Sequence, residues 1–193
     1  DAPSSLRAVR LLATFKSREL ERDTCVATIH EWLADPSLAA NATVQLVAAL
    51  IFADSGNEIE AMKCCHTGLS LELMALMIAL LVRLDRPELA DKHLRLMQAA
   101  DDDATLTQLA SAWVNASLGG GKTQDAFYVY QELGDKYAWT SKLHNGAAVA
   151  QMAMGAYEDA EKHLVEAINK DSKDPDTLQV RPDGAFPNPG IKF

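Results

Sequence analysis

Basic runs, long apolar runs and cysteine are scarce in this chain. No run of Lys and Arg exceeds two residues and the net charge is −9, so it lacks the clustered basic footprint of a nucleic-acid binder. The same shortage argues against direct docking on anionic lipid. The longest apolar run, Leu73 to Val82, holds ten residues; a membrane-spanning helix needs about 20, and this run reads as a buried helix. Three cysteines, Cys25, Cys64 and Cys65, make no disulfide framework and fit a reducing, cytosolic setting. No secretory or transit pattern is read. Proline (7) and glycine (10) are few, which excludes a Gly/Pro-rich β or disordered body. What remains is 48% apolar, rich in Leu, Ala, Met, Glu, Lys and Gln, which are strong helix formers.

Catalytic and metal signatures are equally sparse. Cys64-Cys65-His66 has no second Cys/His pair at ligand spacing, and adjacent cysteines on a helix point about 100° apart. The five histidines (His30, His66, His93, His144, His163) are scattered and read as surface or core residues. Ala116-Ser-Leu-Gly119-Gly-Gly-Lys122-Thr123 nearly matches a phosphate-binding loop, but such a loop needs a preceding strand. The segment before it reads as a helix, Thr105 to Ser117. Asp101-Asp102-Asp103 precedes that helix and reads as an N-terminal cap, not a calcium loop. No catalytic residue, cofactor or metal is expected.

Self-similarity is the dominant signal. The clearest unit runs from Ser141 to Asp171. Leu143, Ala147, Ala150 and Met154 mark a first helix; Gly155 breaks it; Tyr157, Ala160, Leu164, Ala167 and Ile168 mark a second. Small residues at the crossing (Ala147, Ala148, Ala160) let the two helices close to about 8–10 Å. Tyr157, Leu164 and Ile168 would fill the space toward a neighbouring unit. Stepping back from Ala160, equivalent alanines fall at Ala126, Ala90 and Ala61, at intervals of 34, 36 and 29, each behind an apolar helix and a turn. Ahead of them, Leu6–Leu20 and Asp23–Ala34 read as one more pair, with Asp23-Thr24 as a cap and Asp35-Pro36 as a stop. The expected fold is all-α: an α-solenoid of tetratricopeptide-like helix-turn-helix repeats, about ten helices over residues 1–178. Residues 179–193, with three Pro and two Gly, read as an irregular or disordered tail.

A solenoid's default functional surface is the concave face of the first helix in each pair. On this register it carries Thr43, Leu46, Leu50, Ala75, Ala79, Val82, Gln108, Ser111, Asn115, Lys142, Asn145 and Val149. It is largely apolar or neutral, suited to burying an apolar partner segment. A generic tetratricopeptide adaptor for a helical or peptide segment of another partner, such as a chaperone, is the alternative. A basic, Asn-rich clamp for acidic peptides would have only Asn115, Lys142 and Asn145 to draw on.

Several blocks carry a family likeness. Met97-Gln-Ala-Ala-Asp-Asp-Asp-Ala-Thr-Leu-Thr-Gln-Leu-Ala-Ser-Ala-Trp113, Gln124-Asp-Ala-Phe-Tyr-Val-Tyr-Gln-Glu132, Leu143-His-Asn-Gly146, Glu161 to Asp171 and Asp174-Pro-Asp-Thr-Leu178 resemble the coatomer epsilon subunit family. Leu6-Arg-Ala-Val-Arg10 and Arg22-Asp23 fit the same pattern. The resemblance implies a non-enzymatic vesicle-coat subunit whose repeats grip the C-terminal region of the coatomer alpha subunit. It further implies cytoplasmic protein, peripheral on the cytosolic face of Golgi membranes and coated vesicles, acting in Golgi-to-ER retrograde and intra-Golgi transport. Any membrane association would be indirect, through the coat complex. It also implies further repeats before the start of this chain and further helices after Leu178.

Overall fold

A computed structural model describes residues 3–66 and 70–179; most of the tail expected at 179–193 lies outside them. Twelve α-helices and no strand occur among the described residues. They are α1 (Ser4–Ser17), α2 (Arg22–Ala34), α3 (Pro36–Ala39), α4 (Ala42–Asp54), α5 (Glu58–His66), α6 (Leu71–Arg83), α7 (Pro87–Ala100), α8 (Thr105–Leu118), α9 (Lys122–Lys136), α10 (Ser141–Ala153), α11 (Tyr157–Lys170) and α12 (Pro175–Gln179). A short 3₁₀ turn, Glu19–Glu21, precedes α2.

The two helices beyond the expected ten, α3 and α12, both open at an Asp-Pro pair. Proline stops a helix from within but is favoured at its first position. The preceding Asp then accepts from the amide two residues on: Ser37 N to Asp35 Oδ1 at 2.9 Å, and Asp176 N to Asp174 Oδ1 at 3.3 Å. Other expected ends shift for similar local reasons. Helix α2 begins at Arg22, so Asp23 lies in its first turn and does not cap it. Asp101 caps the turn by accepting from Ala104 N at 3.1 Å, while the N-cap of α8 is Ala104, without a side-chain bond.

The chain groups into two compact units, divided between Leu80 and Leu81. In the first, α1 packs on α2 and α4, and α4 pairs with α5. Asn41 caps α4 by accepting from Thr43 N and Val44 N at 3.0 and 3.2 Å. Its amide donates to Ser4 Oγ and Ser5 Oγ at the start of α1. At the far ends, Lys16 pairs with Asp54. Start meets start and end meets end, so α1 and α4 run parallel, as first helices of successive repeats do. Val44, Ala48, Ile51 and Phe52 are fully buried.

In the second unit each helix packs on the next from α7 to α11, and α12 folds back onto α10 and α11. Ala112, Ala116, Ala126, Tyr130 and Ala147 form one buried cluster, and Ala148, Met152 and Ala160 another.

The turns confirm the repeat. Gly56, Gly119, Gly120 and Gly155 have positive φ, and so does Asp85 (φ 56). Gly56, Asp85 and Gly155 each stand five residues before a fully buried repeat alanine, Ala61, Ala90 or Ala160. In all three turns the next amide reaches back five residues: Asn57 N to Phe52 O, Arg86 N to Leu81 O and Ala156 N to Gln151 O, at 2.8, 2.9 and 2.9 Å. These are Schellman closures, which need one left-handed residue and so favour glycine. The Gly119–Gly121 segment follows α8 and precedes α9. It is an interhelix turn, and Lys122 pairs with Asp125 at 3.2 Å.

Candidate protein-interaction surface

The candidate positions form a separate stripe on each helix. Thr43, Leu46 and Leu50 lie half-buried on α4, and Gln108, Ser111 and Asn115 lie half-buried on α8. Both triplets have the spacing i, i+3, i+7, which keeps three side chains on one face. Lys142 is exposed, and Val149 is half-buried against the Ala148–Met152–Ala160 cluster. Four of the twelve positions are already enclosed: Ala75, Ala79, Val82 and Asn145 are each at most 8% exposed. Taken separately, the α4 stripe is mainly apolar and the α8 stripe neutral and polar.

Asn145 is occupied inside the chain. Its Nδ2 donates to Thr177 Oγ1 at 2.9 Å and to Asp174 Oδ2 at 3.3 Å, and Thr177 Oγ1 donates to the same Asp174 oxygen at 2.8 Å. This buried triad fastens α12 onto α10. The helical register alone points Asn145 at a groove; the Asp-Pro-Asp-Thr run 29 residues on, with its capping carboxylate and hydroxyl, is the available signal for its partner.

The scattered histidines are in part brought together. His144 Nδ1 and His163 Nδ1 lie 3.0 Å apart, on the two helices of one pair. Trp139 stacks on His144, with ring centres 4.7 Å apart and a 26° tilt, and also lies 5.2 Å from His163. Phe127 meets His163 edge-on. Trp139 Nε1 donates to Asp135 Oδ1 at 3.2 Å. Burial lowers the pKa of both imidazoles from 6.5, and for His144 the neighbouring His163 lowers it further. A shallow cleft of about 180 Å³ opens beside them, lined by His144, Gln151, Asp159, Lys162, His163 and Glu166.

The cysteines are buried as free thiols. Burial pushes Cys64 up to about 11 and Cys65 up to about 12, so neither is a thiolate near neutrality. Among the described residues no group of three or more His, Cys, Asp or Glu could hold a metal ion. No helix among them is long and apolar enough to cross a membrane.

A family model, Coatomer epsilon subunit, matches residues 1–180. The chain belongs to the coatomer epsilon subunit family. Coatomer subunit epsilon-1 of Arabidopsis thaliana is 44% identical over 177 residues, covering 92% of this chain and 61% of that protein. Coatomer subunit epsilon of Caenorhabditis elegans is 31% identical over 175 residues, covering 91% and 60%. The chain thus spans about three fifths of these family members' length. Among solved structures, a tetratricopeptide repeat protein from Parabacteroides merdae superposes with TM-score 0.69 at 15% identity, covering 86% of this chain and 66% of that one. YrrB, a tetratricopeptide repeat protein with an unusual peptide-binding site, gives 0.55 at 18% identity, covering 89% and 88%. At such identities these structures establish the tetratricopeptide-type fold alone.

Proposed function

We propose that this chain is a non-catalytic scaffold of the coatomer coat that grips the C-terminal region of the alpha subunit. In that role it is cytoplasmic and peripheral on the cytosolic face of Golgi membranes and coated vesicles. It serves Golgi-to-ER retrograde and intra-Golgi transport, and it touches membrane only through the coat. Membership of the epsilon family carries the reading. The half-buried stripes on α4 and α8 support it, because they offer neutral and apolar side chains that a partner segment can cover.

The contact residues proposed for this grip are Thr43, Leu46, Leu50, Gln108, Ser111, Asn115, Lys142 and Val149. The other four register positions, Ala75, Ala79, Val82 and Asn145, are buried and stay outside the proposed contacts. A chaperone-type adaptor reading has less behind it. Of its three candidate clamp residues, Asn145 already spends its amide on Asp174 and Thr177.

The test is to replace Leu46 and Leu50 by Asp and measure binding to the alpha subunit's C-terminal region. Burying a carboxylate in a contact face costs several kcal/mol, so the double variant should bind at least about tenfold more weakly with its helical circular dichroism unchanged. Undiminished affinity would contradict this surface. Tight binding of an acidic chaperone C-terminal peptide would favour the adaptor reading.

A further inference from the structure

Two imidazoles meet between α10 and α11. His144 Nδ1 and His163 Nδ1 stand 3.0 Å apart. Trp139 stacks on His144, and Phe127 of α9 meets His163 edge-on. All four residues belong to consecutive segments of the second unit, so their approach does not depend on what lies beyond either end of the sequence.

A direct hydrogen bond uses one N–H and one lone pair of the two rings, but it leaves a buried acceptor beside them unused. Gln151 is 7% exposed, and its Oε1 has no hydrogen-bond partner among the described residues. It lines the same cleft of about 180 Å³ as both imidazoles. A buried acceptor without a donor is destabilising, so Gln151 marks a place for a group that donates.

The imidazole separation matches two ligands of one metal ion. With metal–nitrogen bonds of about 2.0–2.1 Å, two nitrogens lie about 2.9 Å apart at a right angle and about 3.4 Å apart at a tetrahedral angle. Imidazole suits zinc, copper and nickel, whereas magnesium and calcium take oxygen ligands. The cleft lining also carries two carboxylates, Asp159 and Glu166, against one ammonium, Lys162, which bonds Asp159 at 2.8 Å. That balance favours a cation over an anion. Among the described residues no group of three His, Cys, Asp or Glu is placed to ligate, so water must fill the positions that the two histidines leave.

We propose that His144 and His163 bind one divalent ion of the late first transition row through their Nδ1 atoms, with a metal-bound water donating to Gln151 Oε1. The neutral pair holds a single Nδ1 proton. That proton moves to Nε2 of the same ring as the metal binds, so both lone pairs become available and no proton is released. The ion ties α10 to α11, a clip in a scaffold whose cysteines are free thiols. It is independent of the grip proposed for the alpha subunit.

The test is calorimetric titration of the whole chelator-stripped chain with zinc chloride, beside nitrogen-15 magnetic resonance of its imidazoles. One zinc should bind per chain, the His144 and His163 Nδ1 signals should shift together, and the melting temperature should rise. H144N and H163N should each weaken binding by at least about 100-fold and Q151M by about tenfold. H66N, at an exposed histidine on α5, should leave it unchanged, and magnesium should not compete. Should a variant fail to fold, the imidazole signals of the unaltered chain decide. No zinc uptake, uptake that leaves those two Nδ1 signals unmoved, full affinity in folded H144N, H163N or Q151M, or competition by magnesium would each overturn the proposal.

Discussion

The Nδ1 atoms of His144 and His163 lie 3.0 Å apart, a contact that requires one proton between two imidazoles and fails when both rings are charged. Trp139 stacks on His144. Asp159, Lys162 and Glu166 line the cleft beside the pair, and Lys170 adds repulsion toward His144.

Acid should therefore loosen the α10–α11 pair. Both folded-state values lie below the ordinary 6.5, so on acidification the unfolded chain takes up protons first. The histidine contribution is complete above about pH 6.5 and is lost as pH falls from there through the folded values. Urea midpoints measured between about pH 7.5 and 5.5 should fall with acid. The decline should be shallower in His163→Asn. An equally steep decline in that variant would show that the pair is not its cause.

Gly134 makes room for that indole. A Cβ built there would lie 2.3 Å from Trp139 Cε2, and one at Gly146 would lie 2.5 Å from Tyr130 Cε1. Both glycines sit inside helices, where alanine is favoured by about 1 kcal/mol. Overpacking of about 1–3 kcal/mol should outweigh that gain, so Gly134→Ala and Gly146→Ala should both lower the melting temperature. In a Trp139→Ala background the Gly134 change should turn stabilising, which a double-mutant cycle reads directly.

Asp85 holds the left-handed turn position (φ 56) that Gly56 and Gly155 hold in sister repeats. A side chain there costs about 1 kcal/mol, partly offset by the entropy that glycine loses on folding. Asp85→Gly should raise stability by about 0.5 kcal/mol in thermal unfolding, whereas Asp85→Val should lower it.

Removing Asn145 should release the end of the second unit. Asn145→Ala leaves the buried Asp174 carboxylate and Thr177 hydroxyl with one partner fewer, a loss of about 1–3 kcal/mol. Amide exchange should rise first in α12. Uniform protection in the variant would show that the triad does not fasten that helix.

Periodicity and turn spacing make most of the fold legible. The alanines at 61, 90, 126 and 160 are all essentially fully buried, since a crossing point tolerates only a small side chain. Asp35-Pro36 reads as a stop in the sequence, yet a proline can end one helix or open the next, and only the packing of the residues after it decides. Gly134 and Gly146 are silent about their roles, because a glycine in a helical pattern does not name the ring lying against it. The His144–His163 contact is hidden for a like reason: it depends on how two helices of a pair face each other, which spacing along one helix does not state. The face assigned to partner binding comes from register alone, and register cannot separate a half-buried Leu46 from a buried Asn145 fastened to a later helix. Periodicity sets Tyr157 and Ile168 against a neighbouring unit; among the described residues they are 58% and 42% exposed.

The coat assignment is tested most directly by calorimetric titration of this chain with the purified C-terminal region of the coatomer alpha subunit. Saturable 1:1 binding, lost in the Leu46→Asp, Leu50→Asp variant, is the predicted result. No heat and no complex from a folded chain, under conditions where a full-length epsilon subunit binds, would contradict it.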